Sequence, residues 1–154
     1  MAGGWVVDAS VAVKWLVPEP LTPEARLVLD AARRGLIRIH VPELWLAEIA
    51  SSLWKKTRPP GAGRLDAGRA ARMMDHVRSL GVTIHSHRPL VHGALALACV
   101  SGLTVYDALY ASLALSREFT LVTADDRLGR AARDAGLGER AIPLADVERR
   151  LQSM

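Results

Sequence analysis

The 154-residue chain carries 20 Lys plus Arg against 16 Asp plus Glu, a formal net charge of +4, with 50% of its residues hydrophobic and 23% charged. That balance excludes disorder and fits one globular domain, residues 1–154, long enough to form a core without disulfides or structural metals. Cys99 is the only cysteine, which excludes an intrachain disulfide and a Cys-rich zinc site and makes the cytoplasm the expected compartment.

The chain opens with a short apolar run, Trp5-Val6-Val7, ending at Asp8. Ser10 to Val17 then spaces Val11, Val13, Trp15 and Leu16, which predicts strand, turn and short helix. Thr22 to Gly35 predicts a second helix, with Thr22 as N-cap, Pro23 at the first helical position and Gly35 at its end. Ile37 to Val41 alternates and is rich in β-branched residues, which predicts a strand. Glu43 to about Lys56 predicts a helix with an apolar stripe through Leu46, Ile49, Ala50 and Leu53. The breaker Pro59-Pro60-Gly61-Ala62-Gly63 separates it from a helix over Arg64 to Leu80, closed by Gly81. Val82 to His85 predicts a third strand, and Pro89 starts a helix reaching Ser101-Gly102. Val105 to Ser116 reads as helix, Phe119 to Val122 as strand, Arg127 to Ala135 as helix and Arg140 to Ile142 as a last short strand. Strands alternate with helices throughout. The expected fold class is therefore α/β, with a central, mostly parallel sheet of four to five strands and helices on both faces.

Neither a signal peptide nor a membrane span is expected. No basic residue precedes the apolar run at Trp5, and Asp8 breaks it. The longest apolar stretch, Gly93 to Tyr106, is shorter than the roughly 20 residues that cross a bilayer and contains Gly102. Only Lys14, Lys55 and Lys56 are lysines, the other basic residues being arginines. Either an anionic partner, which a planar guanidinium binds bidentately, or genomic base composition accounts for that bias.

Carboxylates fall at the ends of predicted elements in four places: Asp8, Glu48, Asp107 and the pair Asp125-Asp126. Asp8 closes the first strand, where open α/β sheets bind ligands, or it caps the next helix. Glu48 lies opposite Leu46 and Leu53 on its helix, as a functional acid or as a solvated one beside Ser52 and Lys55. Asp107 follows Thr104 by three residues, a capping-box-like spacing. One cap would explain one acid of the pair Asp125-Asp126, but not both.

Four segments around these acids resemble the PIN-domain ribonucleases, most closely the VapC-type toxins of bacterial and archaeal toxin–antitoxin pairs. They are Val6-Val7-Asp8-Ala9-Ser10, the run from Pro42 to Leu53 around Glu48, Thr104-Val105-Tyr106-Asp107-Ala108-Leu109-Tyr110, and Leu121-Val122-Thr123-Ala124-Asp125-Asp126-Arg127-Leu128. They occur in the family's order across nearly the whole chain. The resemblance implies a single PIN-like domain in which Asp8, Glu48, Asp107 and Asp125 form an acidic quartet, with Ser10 and Thr123 as polar supports and Asp126 as a further acid or a helix cap. It implies a metal-dependent endoribonuclease that forms a homodimer and is inhibited by a small cognate antitoxin. Two departures stand out. Ser51 occupies a place where Asn is common, and Pro59 to Gly63 lengthens a connection between helices.

Carboxylates gathered in one pocket repel one another, and a hard divalent cation such as Mg²⁺, with Mn²⁺ as substitute, prefers such oxygen ligands. RNA is the expected substrate. A non-catalytic binding module, a PIN-domain nuclease outside toxin–antitoxin biology and a DNA nuclease are the competing readings. A phosphate-binding glycine loop is absent, Ser10 stands where a haloacid-dehalogenase-like phosphatase needs a second Asp, and no nucleophile elbow is present. His85 and His87 read as surface or boundary residues in preference to zinc ligands. Trp15, Trp45 and Trp54 read as core in preference to partner interface.

Overall fold

Runs of β-branched and aliphatic residues pair into one five-stranded, fully parallel sheet, ordered β3-β2-β1-β4-β5. The computed structural model describes residues 3–58 and 65–154. The breaker expected over Pro59 to Gly63, and Arg64 as the start of the following helix, lie outside the described residues. The strands are β1 Gly3–Val7, β2 Ile37–Pro42, β3 Thr83–His85, β4 Thr120–Thr123 and β5 Ala141–Pro143. The helices are α1 Ala9–Leu16, α2 Thr22–Arg33, α3 Leu44–Lys56, α4 Ala67–Ser79, α5 Val91–Ser101, α6 Val105–Arg117, α7 Asp126–Ala132 and α8 Val147–Gln152.

Parallel strands need crossover connections, and the intervening helices supply them. Successive residues Trp5, Val6 and Val7 of the central strand point to opposite faces, and all three are buried, so both faces of the sheet are covered. The core also takes Trp45, Ile49 and Leu53 from α3 and most of α6. Among the described residues no single helix is long and apolar enough to cross a membrane, and α5 and α6 meet at a 117° bend.

Several local expectations shift. The α2 N-cap is Leu21, in the left-handed region at φ 67, and not Thr22. Thr22 is the first helical residue, and its hydroxyl accepts from the Glu19 N–H at 2.9 Å. The buried stripe of α3 runs through Trp45, Ile49 and Leu53, leaving Leu46 and Ala50 half-buried, because α3 packs on α1 and α4, with Trp15 of α1 against Trp45. Helix α4 begins at Ala67, with Asp66 accepting from the Arg69 N–H at 2.8 Å. Helix α8 follows β5 without a signal in the sequence pattern. Six residues with Val147 as the buried anchor are too few for a readable period.

Trp45 is fully buried, and Trp15 meets it edge-on while donating its indole N–H to the Ala25 carbonyl at 2.7 Å. Trp54 departs from the core expectation. It is 54% exposed, with the Arg58 guanidinium 4.9 Å above its ring. His85 pairs with His40 at 2.9 Å between ring nitrogens, and His87 accepts the Leu44 N–H.

The chain order places a topological switch between β1 and β4, since the chain runs outward through β2 and β3 before returning to the other side of β1. Ligands of open α/β sheets bind at such a point, outside the carboxyl ends of the strands. Asp8 follows β1 there, and Asp125 follows β4.

Candidate active site

Each acid of the expected quartet, Asp8, Glu48, Asp107 and Asp125, reaches the switch point from a different element. Asp8 ends β1 and caps α1, so the cap role weighed for it is also met, through the Val11 N–H at 3.3 Å. Ser10 donates to Asp8 Oδ1 at 2.6 Å and Thr123 to Oδ2 at 2.6 Å. The Thr123 and Ser10 oxygens accept in turn from the Asp125 and Ala124 N–H groups, so the β4 end is laced to Asp8. At 5% exposure Asp8 is the most deeply buried acid of the quartet.

Asp107 sits in the first turn of α6, where half of the capping-box-like arrangement is formed: Thr104 caps a backbone N–H, whereas the Asp107 carboxylate takes the Thr104 hydroxyl and not a backbone N–H. Thr104 accepts from the Asp107 N–H at 3.1 Å and donates its hydroxyl to Asp107 Oδ2 at 2.8 Å. Asp125 caps α7 through the N–H groups of Arg127 and Leu128. The capping alternative weighed for Asp126 therefore falls to Asp125. Asp126 is the first helical residue, is exposed and does not line the pocket. Glu48, on the middle of α3, is half-buried and accepts from the Tyr110 hydroxyl.

These residues line a single pocket of 220 Å³, which brings together Asp8, Glu48, Asp107 and Asp125 with Ser10, Ser52 and Tyr110. Larger hollows of 520, 540 and 650 Å³ each carry at most two acids. Chemistry, not size, marks the site. Sequence reasoning assigned no role to Ser52 or Tyr110. The signal for both was helical spacing, Ser52 lying four residues after Glu48 and Tyr110 three after Asp107, hence on the same helix faces. Ser51, the noted departure, is exposed, and it is Ser52 that reaches the pocket.

The acids feel one another's charge. Burial pushes the Asp8 carboxyl up to about 6, against the hydrogen bonds from Ser10, Thr123 and Val11, and the charge of Asp125 adds to the rise. Burial also raises Glu48, opposed by the Tyr110 hydrogen bond and reinforced by Asp107 and Asp8. Tyr110, itself pushed up by burial and by the Glu48 carboxylate, keeps its proton and remains a donor.

Residues 5–134 match the family model for the PIN domain. The chain is similar to Ribonuclease VapC3 of Pyrobaculum aerophilum, with 33% identity over 125 residues that cover 80% of this chain and 90% of that protein. The chain belongs to the PIN-domain family, in its VapC ribonuclease branch. Among solved structures, PAE2754 from Pyrobaculum aerophilum superposes on this PIN-domain protein with a TM-score of 0.72 at 28% identity, covering 100% of this chain and 92% of that one. The VapBC2 structure from Rickettsia felis, bound to a DNA fragment from their promoter, shares the fold with a TM-score of 0.59 at 17% identity, over 83% and 92% of the two chains.

PIN-domain nucleases generally use divalent metal ions. The donor set of this member fits a hard cation: four carboxylates and hydroxyls line the pocket, with no thiol or imidazole. Among the described residues no three His, Cys, Asp or Glu side chains are placed to hold one metal ion as they stand. Each carboxylate turns at least one oxygen to a protein donor. One oxygen each of Glu48, Asp107 and Asp125 is left without a side-chain or capping donor among the described residues.

Proposed function

We propose that this chain, as one domain over residues 1–154, is a Mg²⁺-dependent endoribonuclease and the toxin of a type II toxin–antitoxin pair. The observation that carries this reading is the convergence of four acids from four elements on one pocket at the switch point. A module that only bound RNA would gain nothing from an unmetallated cluster of negative charge.

Asp8 and Asp107 are the principal cation ligands, Asp125 binds directly or through water, and Glu48 is a ligand or the base that orients the attacking water. When bound, the divalent cation, Mg²⁺ or Mn²⁺ in its place, neutralises charge on the scissile phosphate and lowers the pKa of water. Ser10 and Thr123 keep both oxygens of Asp8 aimed, and the Tyr110 hydroxyl holds one oxygen of Glu48. Asp126 is at most an outlying charge.

RNA is the substrate, in line with the names of the VapC relatives, and a small antitoxin is the regulatory partner, in line with the VapBC2 complex. A homodimer is supported by the apolar side chains that α5 and the start of α6 expose: Val91, Leu95, Val100 and Tyr106. The cytoplasm, where RNA and such partners meet, is the compartment.

The decisive experiment compares Mg²⁺-dependent cleavage of defined RNAs by wild type, Asp8→Asn and Asp107→Asn. Loss in both variants is expected, and undiminished cleavage by both would sink the assignment.

A further inference from the structure

A cluster of carboxylates repels the anion it is to cut, so affinity for a nucleic acid strand must come from cations beside the cluster. Helix α3 supplies them in register. Glu48, Ser52 and then Lys55 and Lys56 follow one another along one helix face, with Lys55 about 10 Å beyond Glu48 at 1.5 Å per residue. Ser52 lines the acidic pocket and also a neighbouring 540 Å³ groove between α1, α3 and α4, so the two hollows adjoin at this residue.

The groove has an apolar floor that includes Leu16 and Met73 and a cationic rim of Lys55, Lys56 and Arg69. Glu19 is its one acid among the described lining residues. That carboxylate is already held by Lys56 at 2.6 Å and by Lys14 at 3.0 Å. Lys55 and Arg69 make no ion pair among the described residues, and the undescribed residues contain no acid. The helix dipole alone accounts for Lys55, which stands in the last turn of α3. It does not account for Arg69, a cation in the first turn of α4, where the dipole opposes positive charge. An anion in the groove would offset that opposition.

From this adjacency of acids, hydroxyl and unpaired cations we infer that the groove holds the single-stranded RNA segment flanking the scissile bond, with Lys55 and Arg69 on its phosphates and the apolar floor under its bases. The inference rests on the ribonuclease reading above. An acidic polypeptide would suit the floor and the cations alike; what favours an RNA strand is that the groove adjoins the carboxylates that would cut it.

The test is fluorescence anisotropy of a labelled mixed-sequence single-stranded RNA, with chelator present to prevent cleavage, across a series of NaCl concentrations. Wild type is compared with the double variant Lys55→Ala/Arg69→Ala and with a charge-matched control, Arg26→Ala/Arg34→Ala, on exposed positions of α2 and its C-cap. Two lost phosphate contacts should flatten the slope of log K against log salt by about 1.4 and weaken low-salt binding roughly tenfold or more. Circular dichroism checks that the exposed substitutions leave the fold intact. Wild-type affinity and slope in the Lys55/Arg69 variant, or an equal effect of the control, would overturn the inference and leave the groove to a polypeptide partner. Wild-type cleavage of the same RNA with Mg²⁺ is scored in parallel. Its absence overturns the ribonuclease reading, whereas cleavage together with unaltered variant binding overturns only the role of the groove.

Discussion

The hydroxyl of Thr123 donates to Asp8 Oδ2 across 2.6 Å, tying together the carboxyl ends of β1 and β4 through residues 115 positions apart in the chain. Ser10 and the Val11 N–H complete the set of donors to this buried carboxylate. A short side chain with three donors has one orientation, and the pocket is built around it.

Thr123→Val keeps the shape and removes the hydroxyl that serves both Asp8 and the Asp125 N–H. Leaving buried polar groups unpaired costs about 1–3 kcal/mol. Urea unfolding at pH 8 should show a loss of that order without a change in m-value.

The raised Asp8 carboxyl makes stability depend on pH. Its folded pKa of about 6 lies above the unfolded value of 3.8, so between these the folded state binds more protons and Asp8's contribution falls as pH rises. The shift corresponds to about 3 kcal/mol across the window. His40 acts in the opposite sense. Burial, with the charges of His85, Arg38 and Arg117, lowers it to about 4, so its contribution is lost as pH falls from the unfolded 6.5 through 4. The difference between wild type and Asp8→Asn isolates the acid. In metal-free protein Asp8→Asn should be the more stable above pH 7, and the gap should close toward pH 4, as measured by denaturant midpoints.

Cation binding should show the mirror image. Protons and a divalent ion compete for the same carboxylates, so Mn²⁺ or Mg²⁺ should raise the thermal midpoint more at pH 8 than at pH 5. Chelator should reverse the rise, and Asp8→Asn should abolish it. Scanning fluorimetry at two pH values is sufficient.

Tyr110→Phe removes the donor to Glu48 while keeping the buried ring. Groups that orient a ligand typically account for 10–100-fold in metal affinity or activity when lost. A loss within that range is expected in Mn²⁺ titrations and in RNA cleavage. Glu48→Gln combined with Tyr110→Phe should be little worse than Glu48→Gln alone, since the two act through one contact.

Gly4→Ala tests the packing below the site. A Cβ at Gly4 would enter the Phe119 ring, which is stacked on His40 with centroids 4.2 Å apart. Overpacking of this kind costs about 1–3 kcal/mol. The site lies beyond the other end of β1, so the loss should appear in unfolding with cation affinity retained.

Much of this protein was legible in the residues themselves. Hydrophobic period and breakers marked every strand, because the two-residue alternation and the short buried runs are local properties. The Thr104 cap on the Asp107 N–H was readable for the same reason, being contained within one helical turn. The face of α3 departs from its local pattern because Trp45, Ile49 and Leu53 are buried where α3 packs on α1 and α4, partners that no local window contains.

The amino-acid sequence by itself determined an alternating α/β chain with acids at four element ends, and its motif order pointed to the PIN-domain family. Tertiary structure alone decided which acids share a pocket, that Asp125 and not Asp126 caps α7, and that Ser52 and Tyr110 join the site. The reason is physical. Periodicity says which way a side chain faces on its own element, whereas the meeting of Asp8, Glu48, Asp107 and Asp125 depends on parallel pairing of β1 with β4 and on the packing of α3 and α6 beside them. The net charge of +4 is the same in either view, but only the fold separates it into an acidic pocket and the cationic groove next to it.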